Sequence, residues 1–160
     1  MAGAQKVWFV VYDPRDERRL RARLPEFALV TEQAGHRWSH VDLSDAFGRW
    51  FAGLEYREAY LESPEDLETT LPEFEAALID QVKKKLVGED ADAETVVAVS
   101  GVGSLFGFTK TSTIVQAVEP HIRGRLAVFF PGSHEENRYS LFDARDGWNY
   151  MAIPITAHGG

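Results

Sequence analysis

The sequence contains no cysteine. That absence excludes disulfide staples, thiol catalysis and cysteine-ligated zinc or iron–sulfur centres. No apolar run approaches the roughly 18 residues that read as a membrane span, and the opening MAGAQK carries no apolar signal-peptide core. A cytoplasmic protein with no membrane role is the expectation. Positive charge is also short: 17 Lys+Arg stand against 25 Asp+Glu, a net charge of -8. A chain without a basic footprint is not expected to bind nucleic acid directly, and its acidity suits solubility or docking onto a basic partner. There is no internal repeat, low-complexity tract or linker, so residues 1–160 read as a single α/β domain with room for a real core.

What is present centres on Thr95 to Glu119, TVVAVSGVGSLFGFTKTSTIVQAVE. Val96 to Val99 is a short β-branched apolar run, which suits a strand covered on both faces. Gly101, Gly103 and Gly107 punctuate the turn after it, and Lys110 to Glu119 can be helical, bounded by Pro120. Upstream, Val7 to Tyr12 reads as a first buried strand. Asp13-Pro14 then opens a helix, with Asp13 as N-cap and proline at the first position, and Pro25 is expected to break it. Trp38 to Asp42 alternates apolar and polar, the mark of an edge strand with one wet face. Phe47, Trp50, Phe51 and Leu54 recur at helical spacing and read as core. Phe74, Leu78, Val82 and Leu86 form one stripe, with three lysines after them offsetting the helix dipole. Arg125 to Phe130 is a fourth strand, Ser133 to Arg138 a polar loop, and Tyr150 to Ile155 a last strand at an edge because of Pro154.

Strands alternating with helices imply right-handed crossovers and a parallel sheet. The expected fold is a three-layer Rossmann-like α/β domain. Its five-stranded, mostly parallel sheet has order 2-1-3-4-5 and helices on both faces. Residues 95–100 run through the middle, and Val10, Val97, Val99 and Val128 are buried.

The glycine-rich turn invites a phosphate site made of Gly101, Gly103, Gly107 and Lys110. A P-loop needs four residues between its first glycine and Gly-Lys-Ser/Thr. Here five stand between Gly101 and Gly107, and Phe108-Thr109 intervene before Lys110. The dinucleotide fingerprint fails by one place. Asp13 and Asp42 both end strands and offer an alternative cation site for a metal-dependent hydrolase. Each also has a simpler use as a cap. No histidine pair shows ligand spacing, and no nucleophile is matched to a base, so no constellation marks an enzyme and no cofactor is expected. Leu105, Phe106 and Phe108, with Lys110 and His134, gather at one rim and read as a partner-binding surface. Tyr139, Phe142, Trp148 and Tyr150 add further aromatics after the fourth strand.

Ser100-Gly101-Val102-Gly103 followed by Phe106, Phe108 and Lys110 resembles a segment of the BrxB family of BREX phage-defence systems. So do Val128-Phe129-Phe130-Pro131-Gly132 with Leu141-Phe142 and Asn149-Tyr150, and the opening Phe9-Val10-Val11-Tyr12-Asp13-Pro14 with Glu17. The chain departs from the pattern at Gly107, where proline is expected, and at Lys110, where arginine is expected. The helical segment expected ahead of the first strand is not found before Val7. The resemblance implies a non-catalytic adaptor of a defence complex. The partners it implies are a large AAA+ ATPase, an alkaline-phosphatase-like protein and an adenine methyltransferase. It carries over no catalytic residue.

Overall fold

The computed structural model describes residues 6–55, 57–135, 138–141, 144–145 and 153–156, with backbone alone from residue 133 onward. Four parallel strands make the body of the main sheet: β1 (Val7–Tyr12), β2 (Arg37–Asp42), β3 (Thr95–Ser100) and β4 (Arg125–Pro131). They lie in the order β2-β3-β4-β1, and a short strand, β8 (Ile153–Thr156), pairs in parallel with the outer side of β1. The expected order 2-1-3-4-5 is therefore corrected. β1 sits beyond β4, with Val7 opposite Leu126 and Tyr12 opposite Pro131. Alternation had marked β2 as an edge, and it is one. Nothing in the pattern of an all-apolar strand, however, names its neighbour. Across the pairing that forms, Phe9 and Phe130 meet edge to face at 6.2 Å.

Helix α1 (Glu17–Gln33) carries the chain from β1 across the sheet to β2. At 17 residues it is about 25 Å long, ample for the roughly 14 Å between the two strands. It starts as expected: Asp13 accepts the Arg15 N–H at 2.9 Å, and Pro14 opens a short 3-10 turn, Pro14–Asp16, that leads into it. Pro25, expected to break the helix, lies inside it. Leu20 and Leu24 are buried just ahead of the proline, and Phe27 beyond it packs against Phe129 at 5.3 Å. Burial of this face offsets the ~3 kcal/mol that an internal proline costs.

The other face of the sheet is covered by α2 (Ala46–Ala52), α4 (Leu71–Leu86) and α5 (Thr111–Val118), with α3 (Arg57–Glu62) and a 3-10 turn, Pro64–Thr70, between the first two. Phe74, Leu78, Val82 and Leu86 are buried as a stripe. Phe47 and Trp50 pack against the core beside them, as their spacing predicts. Every residue of β3 is buried, and Val10, Val97, Val99 and Val128 all belong to the core.

After β4 the chain forms a second sheet. β5 (Ser133–Glu135), β6 (Arg138–Leu141) and β7 (Ala144–Arg145) pair antiparallel in that order. Residues 133–135, expected as loop, are thus a strand. The Gly132 N–H donates to the Tyr12 carbonyl at 2.9 Å and ties this sheet to the end of β1. Phe142, Trp148 and Tyr150 lie outside the described residues.

Candidate functional site

The carboxyl ends of parallel strands are where α/β sheets place their sites. At the end of β3, Ser100 leads into Gly101, whose φ of +78° suits glycine. A Cβ here would lie 2.4 Å from the Ser44 backbone nitrogen and 2.8 Å from Asp42 Oδ1. Gly101 is therefore spent on the close approach of two turns, the one after β2 and the one after β3. Ser104 completes the junction, donating from its hydroxyl to the Leu43 carbonyl at 2.9 Å and to the Gly101 carbonyl at 2.8 Å. Gly103 lies within the 3-10 turn Val102–Leu105, and Gly107 supplies a second positive φ, +87°. Lys110 is exposed and occupies the N-cap of α5 in extended backbone.

The rim residues expected to meet a partner separate in the structure. Leu105 is 1% exposed and belongs to the core. Phe108 is half-buried and stacks on Phe47 with centroids 4.1 Å apart. Phe106, between them, is 49% exposed. Thr109 fastens the loop to α4 through a hydrogen bond from its hydroxyl to the Glu75 carboxylate. His134 falls on β5, where only the backbone is described. Of the expected set, Phe106 and Lys110 are the exposed pair.

Asp13 and Asp42 do lie at the same rim, but not together. The order β2-β3-β4-β1 puts two strands between them, a span of roughly 14 Å, too far to share one cation. Each carboxylate is engaged locally. Asp13 binds Arg15 at 2.8 Å, and Asp42 accepts the Ser44 N–H at 2.9 Å. No group of three potential metal ligands occurs among the described residues.

A groove between α1 and β2 brings together side chains that sequence reasoning kept apart. It encloses about 350 Å³ and is lined by Arg21, Leu24, Pro25 and Ala28 from α1, by Trp38, His40 and Asp42 from β2, and by Ser100. His40 Nε2 and Ser100 Oγ are 2.7 Å apart. Burial holds the His40 imidazole below its ordinary pKa, against the opposing pull of Asp42. Burial would raise the Asp42 carboxyl, but the Ser44 hydrogen bonds, Arg21 and His40 outweigh it and keep the group below the usual carboxylate range. Arg21 spans the rim between strand ends. It contacts Asp42 at 4.0 Å and donates to Glu17 at 3.2 Å, and Glu17 in turn accepts the hydroxyl of Tyr12. Burial first, then Glu17, pushes the Tyr12 phenol above its ordinary value. The signal for this chain of contacts was available. His40 and Ser100 lie two residues apart in strand register, because His40 pairs with Ala98 and Asp42 with Ser100. It could be read only once β2 and β3 were known to be neighbours.

Compared with known proteins, a family model described as BREX protein BrxB matches residues 50–155, more than half of the chain. No curated protein and no solved structure matches.

Proposed function

Because the chain belongs to the BrxB family of BREX phage-defence proteins, we propose that it acts as a non-catalytic adaptor that docks other proteins of such a system. The half-exposed Phe106 ring carries this reading. It sits on a loop whose neighbours are anchored: Leu105 in the core, Phe108 on Phe47, Thr109 on Glu75. An aromatic held out by a fixed loop is a pre-organised anchor for a partner pocket. The glycines support the same reading, since Gly101 serves internal packing and the loop lacks phosphate-loop spacing. Ser100 is 4% exposed, which favours a structural hydrogen bond with His40 over attack on a substrate. The protein works in the cytoplasm on a Rossmann-like frame. Its partners are the AAA+ ATPase, the alkaline-phosphatase-like protein and the adenine methyltransferase of the system. No helix among the described residues is long and apolar enough to cross a membrane.

The experiment is a pulldown from cells carrying a complete system, with phage protection and melting temperature read on the same variant. Phe106→Ala should stay folded and weaken capture of a partner by about 30-fold, the equivalent of a ~2 kcal/mol anchor. Protection should be lost with it. A folded Phe106→Ala protein that captures every partner at wild-type yield would remove the rim from consideration.

A further inference from the structure

The groove between α1 and β2 lies across the sheet from the Phe47–Phe108 stack, so it takes no part in the rim reading. At about 350 Å³ it falls within the size range of small-molecule sites. Leu24, Pro25 and Ala28 of α1 and the half-buried Trp38 form its apolar part. The Arg21–Asp42 contact marks its polar part, at the carboxyl end of β2. Ser100, itself 4% exposed, holds the His40 imidazole through Nε2 at 2.7 Å. That contact leaves His40 Nδ1 without a partner among the described residues, and the Trp38 indole N–H has none there either.

The charges decide what such a site rejects. Arg21 stands between two carboxylates, Glu17 at 3.2 Å and Asp42 at 4.0 Å. An anion meets the surplus carboxylate, and a cation meets a carboxylate already shared with arginine, so net charge of either sign gains little. What the site leaves open is hydrogen bonding. The 4.0 Å between Arg21 and Asp42 is too long for a direct hydrogen bond. A hydroxyl is donor and acceptor at once, so it fits that gap by accepting from the guanidinium and donating to the carboxylate. An ionised carboxylate takes about four hydrogen bonds, and Asp42 receives its own from Ser44. A second, adjacent hydroxyl therefore finds an acceptor on the same group, which is 46% exposed. Trp38 and Pro25 beside it suit the apolar C–H face of a ring. We propose that the α1–β2 groove binds an uncharged sugar ring, with vicinal hydroxyls on Asp42 and Arg21 and the C–H face on Trp38. The indole N–H and His40 Nδ1 serve its remaining oxygens. The ring comes either from a free saccharide or from the ribose of a nucleoside.

The test is a titration of the full chain followed by proton–nitrogen NMR, with the Trp38 indole signal assigned by its loss in Trp38→Phe. Methyl glucoside probes the saccharide source and uridine the nucleoside source. At least one of them should shift the indole signal saturably, with a Kd of roughly 0.1–2 mM for ligands of this size. Asp42→Asn keeps an oxygen for the Ser44 N–H and should weaken that binding about tenfold, as loss of a hydrogen bond to a charged group does. If uridine is the ligand, 2′,3′-dideoxyuridine should bind about tenfold more weakly for the same reason. Ala28→Phe fills the groove without touching a hydrogen bond and should abolish binding, with circular dichroism confirming its fold. Absence of a saturable shift with either probe up to about 10 mM overturns the proposal. So does a dideoxy compound that binds as well as uridine, since the hydroxyls would then carry no recognition. Binding that Asp42→Asn leaves at wild-type strength also overturns it, and that variant decides the matter should Ala28→Phe fail to fold.

Discussion

Replacing Gly101 with alanine should separate two costs that a single glycine usually confounds. The first is conformational: φ is +78°, and an L-residue in that region costs roughly 1–2 kcal/mol. The second is steric. The added Cβ would lie 2.4 Å from the Ser44 nitrogen and 2.9 Å from its Cα, both backbone atoms, so the turn after β2 must move. Overpacking of this kind costs about 1–3 kcal/mol. Gly107 supplies the control. Its φ is +87°, yet nothing lies within 4 Å of its added Cβ, so it meets only the conformational cost. For a chain of this size each kcal/mol shifts the melting temperature by about 2–4 °C. Gly101→Ala should therefore melt roughly 4–20 °C below wild type and Gly107→Ala roughly 2–8 °C below. Thermal denaturation followed by circular dichroism reads both. Equal shifts for the two variants would refute the packing argument, since the contact with Ser44 would then contribute nothing.

Other outcomes follow from the same geometry. Phe108→Ala should lower stability by about 2–3 kcal/mol in urea, less than the ~3–5 kcal/mol of a fully buried ring, because Phe108 is half-buried against Phe47 and Phe74; a loss under ~0.5 kcal/mol would mean the stack carries no load. His40 has a lowered folded pKa, so the unfolded chain binds a proton first. Stability should fall as pH drops below about 6.5, and His40→Gln should flatten that slope between neutral and mildly acidic urea titrations. Magnesium should leave the melting temperature unchanged, since Asp13 and Asp42 stand on separated strands; a rise abolished by Asp13→Asn would contradict this. ATP should give no heat in calorimetry at micromolar protein, and a micromolar affinity lost in Lys110→Ala would restore the phosphate reading of the loop.

The elements themselves were legible because periodicity reports burial directly. The stripe Phe74, Leu78, Val82 and Leu86 is buried as its spacing predicts, and β2 is an edge as expected, although its two apolar residues, Trp38 and Val41, lie on opposite faces. Strand order was not legible. Val7 to Tyr12 and Leu126 to Phe130 carry no charged residue, so their pattern suits any buried slot and does not name a neighbour; in the structure they pair, with Phe9 and Phe130 edge to face. That error spread to the site. Placing β1 beside β2 brought Asp13 toward Asp42, while the true neighbours, β2 and β3, bring His40 to Ser100. The continuity of α1 through Pro25 was hidden for a related reason, since local propensity weighs against it and only packing on the sheet weighs for it. At the rim, Leu105, Phe106 and Phe108 were indistinguishable as residue types. One is core, one stacks on Phe47 and one is half-exposed, a sorting made by the backbone of the glycine-rich loop.

The place of β1 beyond β4 also sets a schedule. Val7 pairs with Leu126, so β1 leaves the ribosome well before either of its ladder partners exists. At about 5–20 residues per second that interval is roughly 6–24 s. Throughout it VWFVVY is an uncharged, β-prone segment with open edges on both sides, the composition that seeds intermolecular pairing. Helix α1 follows at once and can shelter one face, but no helix supplies the missing backbone partners. Yield of this protein should therefore depend on crowding and chaperone supply during synthesis more than its finished stability suggests, and purified chain should refold best when dilute.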